Sequence, residues 1–98
     1  MKAQIVRTGG FAGIQMTTSV DSDTLEPEVT KQLRQIIKNA GFFALPTVIS
    51  AGNSQADRFQ YKITVQDGNK SHTVTVSESS LSGGIKQLVE FMNRNSKR

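Results

Sequence analysis

The sequence predicts an α+β fold, a four-stranded antiparallel sheet from two hairpins with two helices packed on one face, in the order β-β-α-loop-β-β-α. Two pairs of segments alternate apolar and polar residues, as half-buried strands do. A glycine-containing turn joins each pair, and apolar residues at helical spacing follow each pair. Two layers bury all of these apolar stripes, so the 98 residues are predicted to form a single domain, 1–98.

The first hairpin joins residues 2–8 to residues 14–20. A four-residue loop over 9–12 would place Ile5 opposite Met16 and would keep the apolar residues of both strands on one side. A loop longer or shorter by one residue would turn one apolar face to solvent. The alternation therefore predicts both the hairpin and its pairing.

The tip of this hairpin is built from glycine and carries one aromatic ring. Its segment is Arg7, Thr8, Gly9, Gly10, Phe11, Ala12 and Gly13. The three glycines allow positive φ, which favours a tight turn with Phe11 at its tip. An aromatic side chain on a short loop can anchor a partner protein, or it can fold back over the sheet edge as a local plug. The sequence leaves both alternatives open.

The first helix is predicted between an acidic segment and a glycine. Pro27 suits the first turn, the acidic residues of 21–28 complement the helix dipole, and Gly41 is the expected C-cap. These acids lack the alternating pattern of a cation-binding loop. The apolar run 42–46 is expected to pack beneath the helix.

Residues 47–57 are rich in small polar residues and show no periodicity, which predicts a mobile surface loop. A loop of this length is often functional. Within it we expect Ser50, Asn53 and Asp57 to contact a partner.

The second hairpin is the clearest strand pair, because Asp67 and Gly68 separate two alternating segments. A two-residue loop would place Ile63 opposite His72, and a four-residue loop would place it opposite Val74. A second amphipathic helix follows, with Ser80 or Ser82 as its N-cap. Its apolar stripe is Leu81, Ile85, Leu88, Val89 and Met92.

The composition argues against several kinds of catalytic, metal and cofactor site. The chain has no cysteine, one histidine and a net charge of +4. His72 occupies an apolar-face strand position, where a hydrogen-bonded boundary histidine is more common than a general base. No acid–base pair, nucleophile motif or phosphate-binding loop is present, so we expect no catalysis, no metal site and no cofactor. The N-terminus lacks a signal-peptide pattern, which predicts a cytoplasmic protein with no membrane segment.

Three segments together resemble the emfourin family. They are the run from Arg7 to Gly13, the run from Phe42 to Pro46, and Asp57, Phe59 and Tyr61 leading into Ile63, Asp67 and Gly68. This family is that of the protealysin-associated inhibitors of thermolysin-like metallopeptidases. The resemblance implies a small cytoplasmic bacterial protein that blocks the active-site cleft of such a peptidase. The segments 7–13 and 47–57 would then form the interface, with Phe11 in the pocket for a bulky apolar residue.

A basic adaptor domain that binds nucleic acid or another protein is the alternative. Lys86, Arg94, Lys97 and Arg98 would supply the contacts. Single-strand platforms alternate aromatic and basic residues on an exposed sheet face, whereas Phe59 and Tyr61 share the apolar parity of their strand. Nucleic acid is therefore the disfavoured partner. We expect a monomer.

Overall fold

The computed structural model describes residues 1–9, 14–49, 59–81 and 83–95. Its strands and helices are β1 (Lys2–Gly9), β2 (Ile14–Asp21), α1 (Pro27–Ala40), β3 (Val48–Ile49), β4 (Gln60–Asp67), β5 (Lys70–Ser77) and α2 (Gly83–Asn95). The strands form one five-stranded sheet in the order β2-β1-β4-β5-β3. In the described part of the chain, neither helix is long and apolar enough to cross a membrane.

The α+β class is confirmed, but the sheet is mixed and five-stranded, so the predicted four-stranded antiparallel sheet is wrong in this detail. The additional strand is β3, which pairs in parallel with β5 through Val48 and Ile49. The Thr75 N–H also donates a hydrogen bond to the Thr47 carbonyl at 2.8 Å. Two residues are too few to show alternation, and for that reason the segment read as a loop. The remainder of the predicted loop, 50–57, lies outside the described residues.

The first hairpin forms, with a register two residues away from the predicted one. Ile5 lies opposite Thr18, and Met16 lies opposite Arg7. The predicted pairing of Ile5 with Met16 is therefore wrong. Because side chains alternate with a period of two, a shift by two residues keeps every side chain on its predicted face.

The second hairpin adopts one of the two predicted registers, with Ile63 opposite Val74. The strands extend to a last pair, Asp67 with Lys70, and close over the two-residue turn 68–69, so the four-residue loop predicted for this register is wrong. The loop is shorter because Asp67 still pairs within the sheet. β1 lies against β4 in antiparallel orientation, with Ile5 opposite Ile63, and so joins the two hairpins.

Helix α1 begins and ends as its sequence indicates. Pro27 is in the first turn, and Gly41 caps the C-terminus in the left-handed conformation, with φ 60° and ψ 41°. The Gly41 N–H points to the carbonyls of Ile37 and Lys38 and satisfies the end of the helix. Phe42 follows in a short 3₁₀ turn and is buried, which confirms its predicted place in the core.

Helix α2 begins at Gly83, the later of the two predicted starts. Leu81 lies before the helix, and Ser80 belongs to a 3₁₀ turn, so the prediction of Ser80 as the N-cap is wrong. Ser82, the other N-cap candidate, lies outside the described residues. The late start places Gly84 directly against α1, because a Cβ built on Gly84 would lie 2.6 Å from the Ala40 Cβ.

One core lies between the sheet and the two helices. We call the sheet face that carries Ala3, Ile5 and Ile63 the inner face. The core consists of Ala3, Ile5, Val20, Leu33, Ile37, Phe42, Tyr61, Ile63, Val65, Val74, Val76, Ile85, Leu88, Val89, Phe91 and Met92. Both helices and four strands contribute to it, as two-layer packing requires.

Candidate functional site

The described residues that flank the two predicted contact segments lie at the same end of the sheet. Gly9 pairs with Ile14, where β1 ends and β2 begins. Ile49 ends β3 beside Val76, and Gln60 begins β4 beside Ser77. We call this end of the sheet the hairpin end. The segments 10–13 and 50–58 both leave and rejoin the described chain there.

At the hairpin end the inner face extends beyond the core. Its side chains there are partly exposed, and one of them is charged. Ala3 and Ile5 are almost completely buried, whereas Arg7, the next β1 residue on the same face, is half-buried. Opposite Arg7, the Met16 side chain is 40% exposed. On the other side, Phe59 precedes β4 and is half-buried. A partly exposed patch of one cation and two large apolar side chains therefore borders both segments.

The Arg7 side chain is held between the other two members of this patch. Its guanidinium carbon lies 4.7 Å from the centre of the Phe59 ring, within cation–π range. Its Nη2 donates a hydrogen bond to the Met16 sulfur at 3.0 Å. These contacts fix the guanidinium on the surface in one orientation. We refer to Arg7, Met16 and Phe59 as the Arg7 patch.

The other described members of the predicted site have different positions. Thr8 is exposed on the outer face, between Gln15 and Gln60 in register. Gly9 has φ 137°, a conformation that L side chains rarely adopt, so glycine is required where β1 enters the turn. Seven predicted contact residues lie outside the described residues: Gly10, Phe11, Ala12, Gly13, Ser50, Asn53 and Asp57.

His72 makes structural contacts. Its Nε2 lies 2.7 Å from the Leu45 carbonyl oxygen, and its ring packs edge-on against Phe42 with centroids 5.6 Å apart. Because a carbonyl oxygen only accepts, Nε2 carries the proton of this hydrogen bond. His72 thus fastens the segment after α1 to β5, which confirms the prediction of a hydrogen-bonded boundary histidine.

The described residues offer no grouping suited to metal binding, since no three His, Asp or Glu side chains cluster among them. The outer face of the described strands also carries no aromatic side chain on which a base could stack. Tyr61 is buried on the inner face, as predicted, while Phe59 is only half-buried and stacks on Arg7. The structure therefore adds nothing to the nucleic-acid alternative.

Comparison with protein families decides the affiliation of the chain. The family profile described as Emfourin matches residues 5–93 of the 98. The chain belongs to the emfourin family. No curated protein and no solved structure matches the chain significantly.

Emfourin membership indicates the class of function. The emfourin family is an inhibitor family, so membership favours an inhibitor of a metallopeptidase over an enzyme and suggests a peptidase as the partner. The match includes both segments of the hairpin end and all three members of the Arg7 patch.

Sequence reasoning missed two members of the patch. Met16 was expected in the core because it shares the parity of Val20, and Phe59 because it shares the parity of Ile63. One feature of the sequence could have revealed the patch. Arg7 follows Ala3 and Ile5 at alternate positions of the same strand, so it places a cation on an apolar face. A cation there marks the point at which core packing ends.

Proposed function

We propose that this member of the emfourin family inhibits a thermolysin-like zinc metallopeptidase of the protealysin type by occluding its active-site cleft with the hairpin end. One observation carries the proposal beyond family membership. The described residues that flank both predicted contact segments lie at the same end of the sheet, beside a partly exposed patch of Arg7, Met16 and Phe59, and this arrangement supports the proposal.

Phe11 is the proposed anchor of this occlusion. Thermolysin-like enzymes favour a bulky apolar residue just after the cleaved bond, and Phe11 has that character. Burying a phenylalanine contributes roughly 1.5 to 3 kcal/mol through the hydrophobic effect. The strands that flank the tip are paired up to Gly9 and Ile14, which limits the entropy lost on binding and favours inhibition over cleavage.

The second segment supplies the area that one ring lacks. A stable protein–protein interface buries about 800 Å² on each partner. Ser50, Asn53 and Asp57, in the segment that leaves the same sheet edge, are the proposed additional contacts. The proposed inhibitor acts by steric exclusion, because segment 7–13 offers no carboxylate, imidazole or thiolate ligand for the zinc of the peptidase.

Titration against a protealysin-like peptidase from the same genome tests this function. We expect hydrolysis of a fluorogenic peptide to fall to zero as the protein is added, and mass spectrometry to show the added chain intact. Full peptidase activity in the presence of micromolar protein would refute the proposal.

The Phe11→Ala variant tests the anchor. The inhibition constant should rise about 10- to 100-fold, the affinity equivalent of one buried ring. Phe43→Ala is the matched control, because Phe43 is a half-buried ring near Lys70, at the opposite end of the sheet. An unchanged inhibition constant for Phe11→Ala would remove the ring from the interface.

A further inference from the structure

Among the described residues, Arg7 has no negatively charged partner, and it lies on an otherwise apolar face. Among the described residues, the one ion pair is that of Arg34 with Asp67, at the opposite end of the sheet. The contacts of the Arg7 guanidinium among these residues are with an aromatic ring and a thioether sulfur. Neither partner carries a negative charge.

The geometry leaves the strongest donors of Arg7 available. A guanidinium presents several N–H groups in one plane, and a thioether is only a weak acceptor for one of them. The Phe59 ring lies 4.7 Å from the guanidinium carbon and supplies no oxygen or nitrogen acceptor to its N–H groups. A guanidinium binds a carboxylate through two parallel hydrogen bonds from these groups.

The contacts of Arg7 also reduce the entropy that a partner must remove. A free arginine side chain has many rotamers, and ordering them opposes binding. Here the Phe59 ring and the Met16 sulfur already hold the side chain, and its half-buried position removes part of its hydration. A carboxylate therefore meets a guanidinium that is oriented and partly desolvated in advance.

We propose that Arg7 is the residue through which the hairpin end recognises a carboxylate, that of an Asp or Glu on the rim of the peptidase cleft. Met16 and Phe59 act as positioning residues and cover the apolar surface next to this ion pair. The inference rests on the proposed inhibitory function and adds the chemistry of the partner surface. It distinguishes peptidases that present an acidic residue at this point from those that do not.

Arg7→Met and Arg34→Met provide a matched pair of variants. Both remove one arginine charge, and Arg34 forms an exposed ion pair away from the hairpin end. Arg7→Met should raise the inhibition constant roughly 10- to 100-fold, because a hydrogen bond to a charged group contributes about that much affinity. Arg34→Met should leave the inhibition constant within about twofold, since exposed ion pairs contribute little. Thermal melting of both variants checks the fold.

Two further measurements separate recognition from a structural role. Arg7→Lys keeps the charge but loses the two-point geometry, so it should inhibit less strongly than the parent protein. The inhibition constant of the parent should rise with NaCl concentration, and that of Arg7→Met should rise less steeply. Arg7→Glu should inhibit poorly and should regain inhibition when one Asp or Glu at the cleft rim is replaced by Lys.

The outcomes distinguish this inference from the function on which it rests. If the parent protein does not inhibit the peptidase, the proposed function fails. If the parent inhibits but Arg7→Met and Arg34→Met weaken it equally, the carboxylate inference alone is wrong. The same conclusion follows if no rim substitution restores inhibition by Arg7→Glu.

Discussion

The close contact of the two helices at Gly84 yields a quantitative prediction for Gly84→Ala. The added Cβ would lie 2.6 Å from the Ala40 Cβ and 2.7 Å from the Ala40 Cα. The shorter distance falls about 0.8 Å below the 3.4 Å at which ordinary contact begins. Both atoms belong to the backbone or are fixed to it, so no rotamer change relieves the overlap. Helix α2 must move away from α1, or the core beneath must shift.

The destabilisation that we expect from the overlap exceeds the stabilisation that we expect from replacing a helical glycine. Overpacking in a well-packed region costs roughly 1 to 3 kcal/mol. Replacing glycine by alanine inside a helix returns up to about 1 kcal/mol, and less in the first turn, where Gly84 lies. We therefore expect Gly84→Ala to lower the free energy of unfolding by about 1 to 2 kcal/mol, and each kcal/mol lowers the melting temperature by about 4 to 8 °C.

Urea denaturation and thermal melting followed by circular dichroism measure this loss. Ala40→Gly in the Gly84→Ala background removes one of the two overlapping atoms and should restore part of the stability. Gly68→Ala is the control, because Gly68 has positive φ but its Cβ would meet nothing within 4 Å. Its effect should add to that of Ala40→Gly without coupling. A Gly84→Ala protein as stable as the parent, or zero coupling between positions 84 and 40, would refute the close-packing explanation.

Three other predictions concern the core and its polar contacts, each measured as the free energy of unfolding in urea. Phe42→Ala should cost about 3 to 5 kcal/mol, because the ring is only 1% exposed; a loss below about 1 kcal/mol would contradict this. His72→Phe keeps a ring beside Phe42 but leaves the Leu45 carbonyl without its donor, so we expect a loss of roughly 1 to 3 kcal/mol, and no change would show that the contact is dispensable. Thr30→Val should raise stability by about 1 kcal/mol, because the buried Thr30 hydroxyl has no hydrogen-bond partner in the described part of the chain; a decrease would mean that the hydroxyl is satisfied.

Sequence patterns over a few neighbouring residues predicted the long strands and the ends of α1. Alternation located the four long strands, and Pro27 and Gly41 marked the ends of α1. Non-local pairing was harder to predict. The pairing of β3 with β5 joins residues 27 positions apart through only two residues of strand, which is too short to produce a period.

The register of the first hairpin shows a second limit of prediction from the sequence. Alternation fixes which face each side chain occupies, and pairings that differ by two residues satisfy it equally well. Ile5 can therefore face Met16 or Thr18 without any change in the apolar pattern. The structure has the second pairing, which moves Met16 beside Arg7 and away from the core. This shift assembles the patch, and for that reason the candidate site could be predicted only in part.

One part of the inner face stabilises the fold, and another part, at the hairpin end, is the proposed binding surface. Beneath the helices the face is closed by Ala3, Ile5 and Ile63, which are 3% exposed or less. At the hairpin end the same strands carry Arg7 and Met16, outside the core cluster. A substitution there removes few core contacts, so it should change binding far more than stability. Conversely, changes at Phe42 or Gly84 should alter the melting temperature and leave the inhibition constant of the folded protein unchanged. This separation allows a loss of inhibition at the hairpin end to be assigned to the interface.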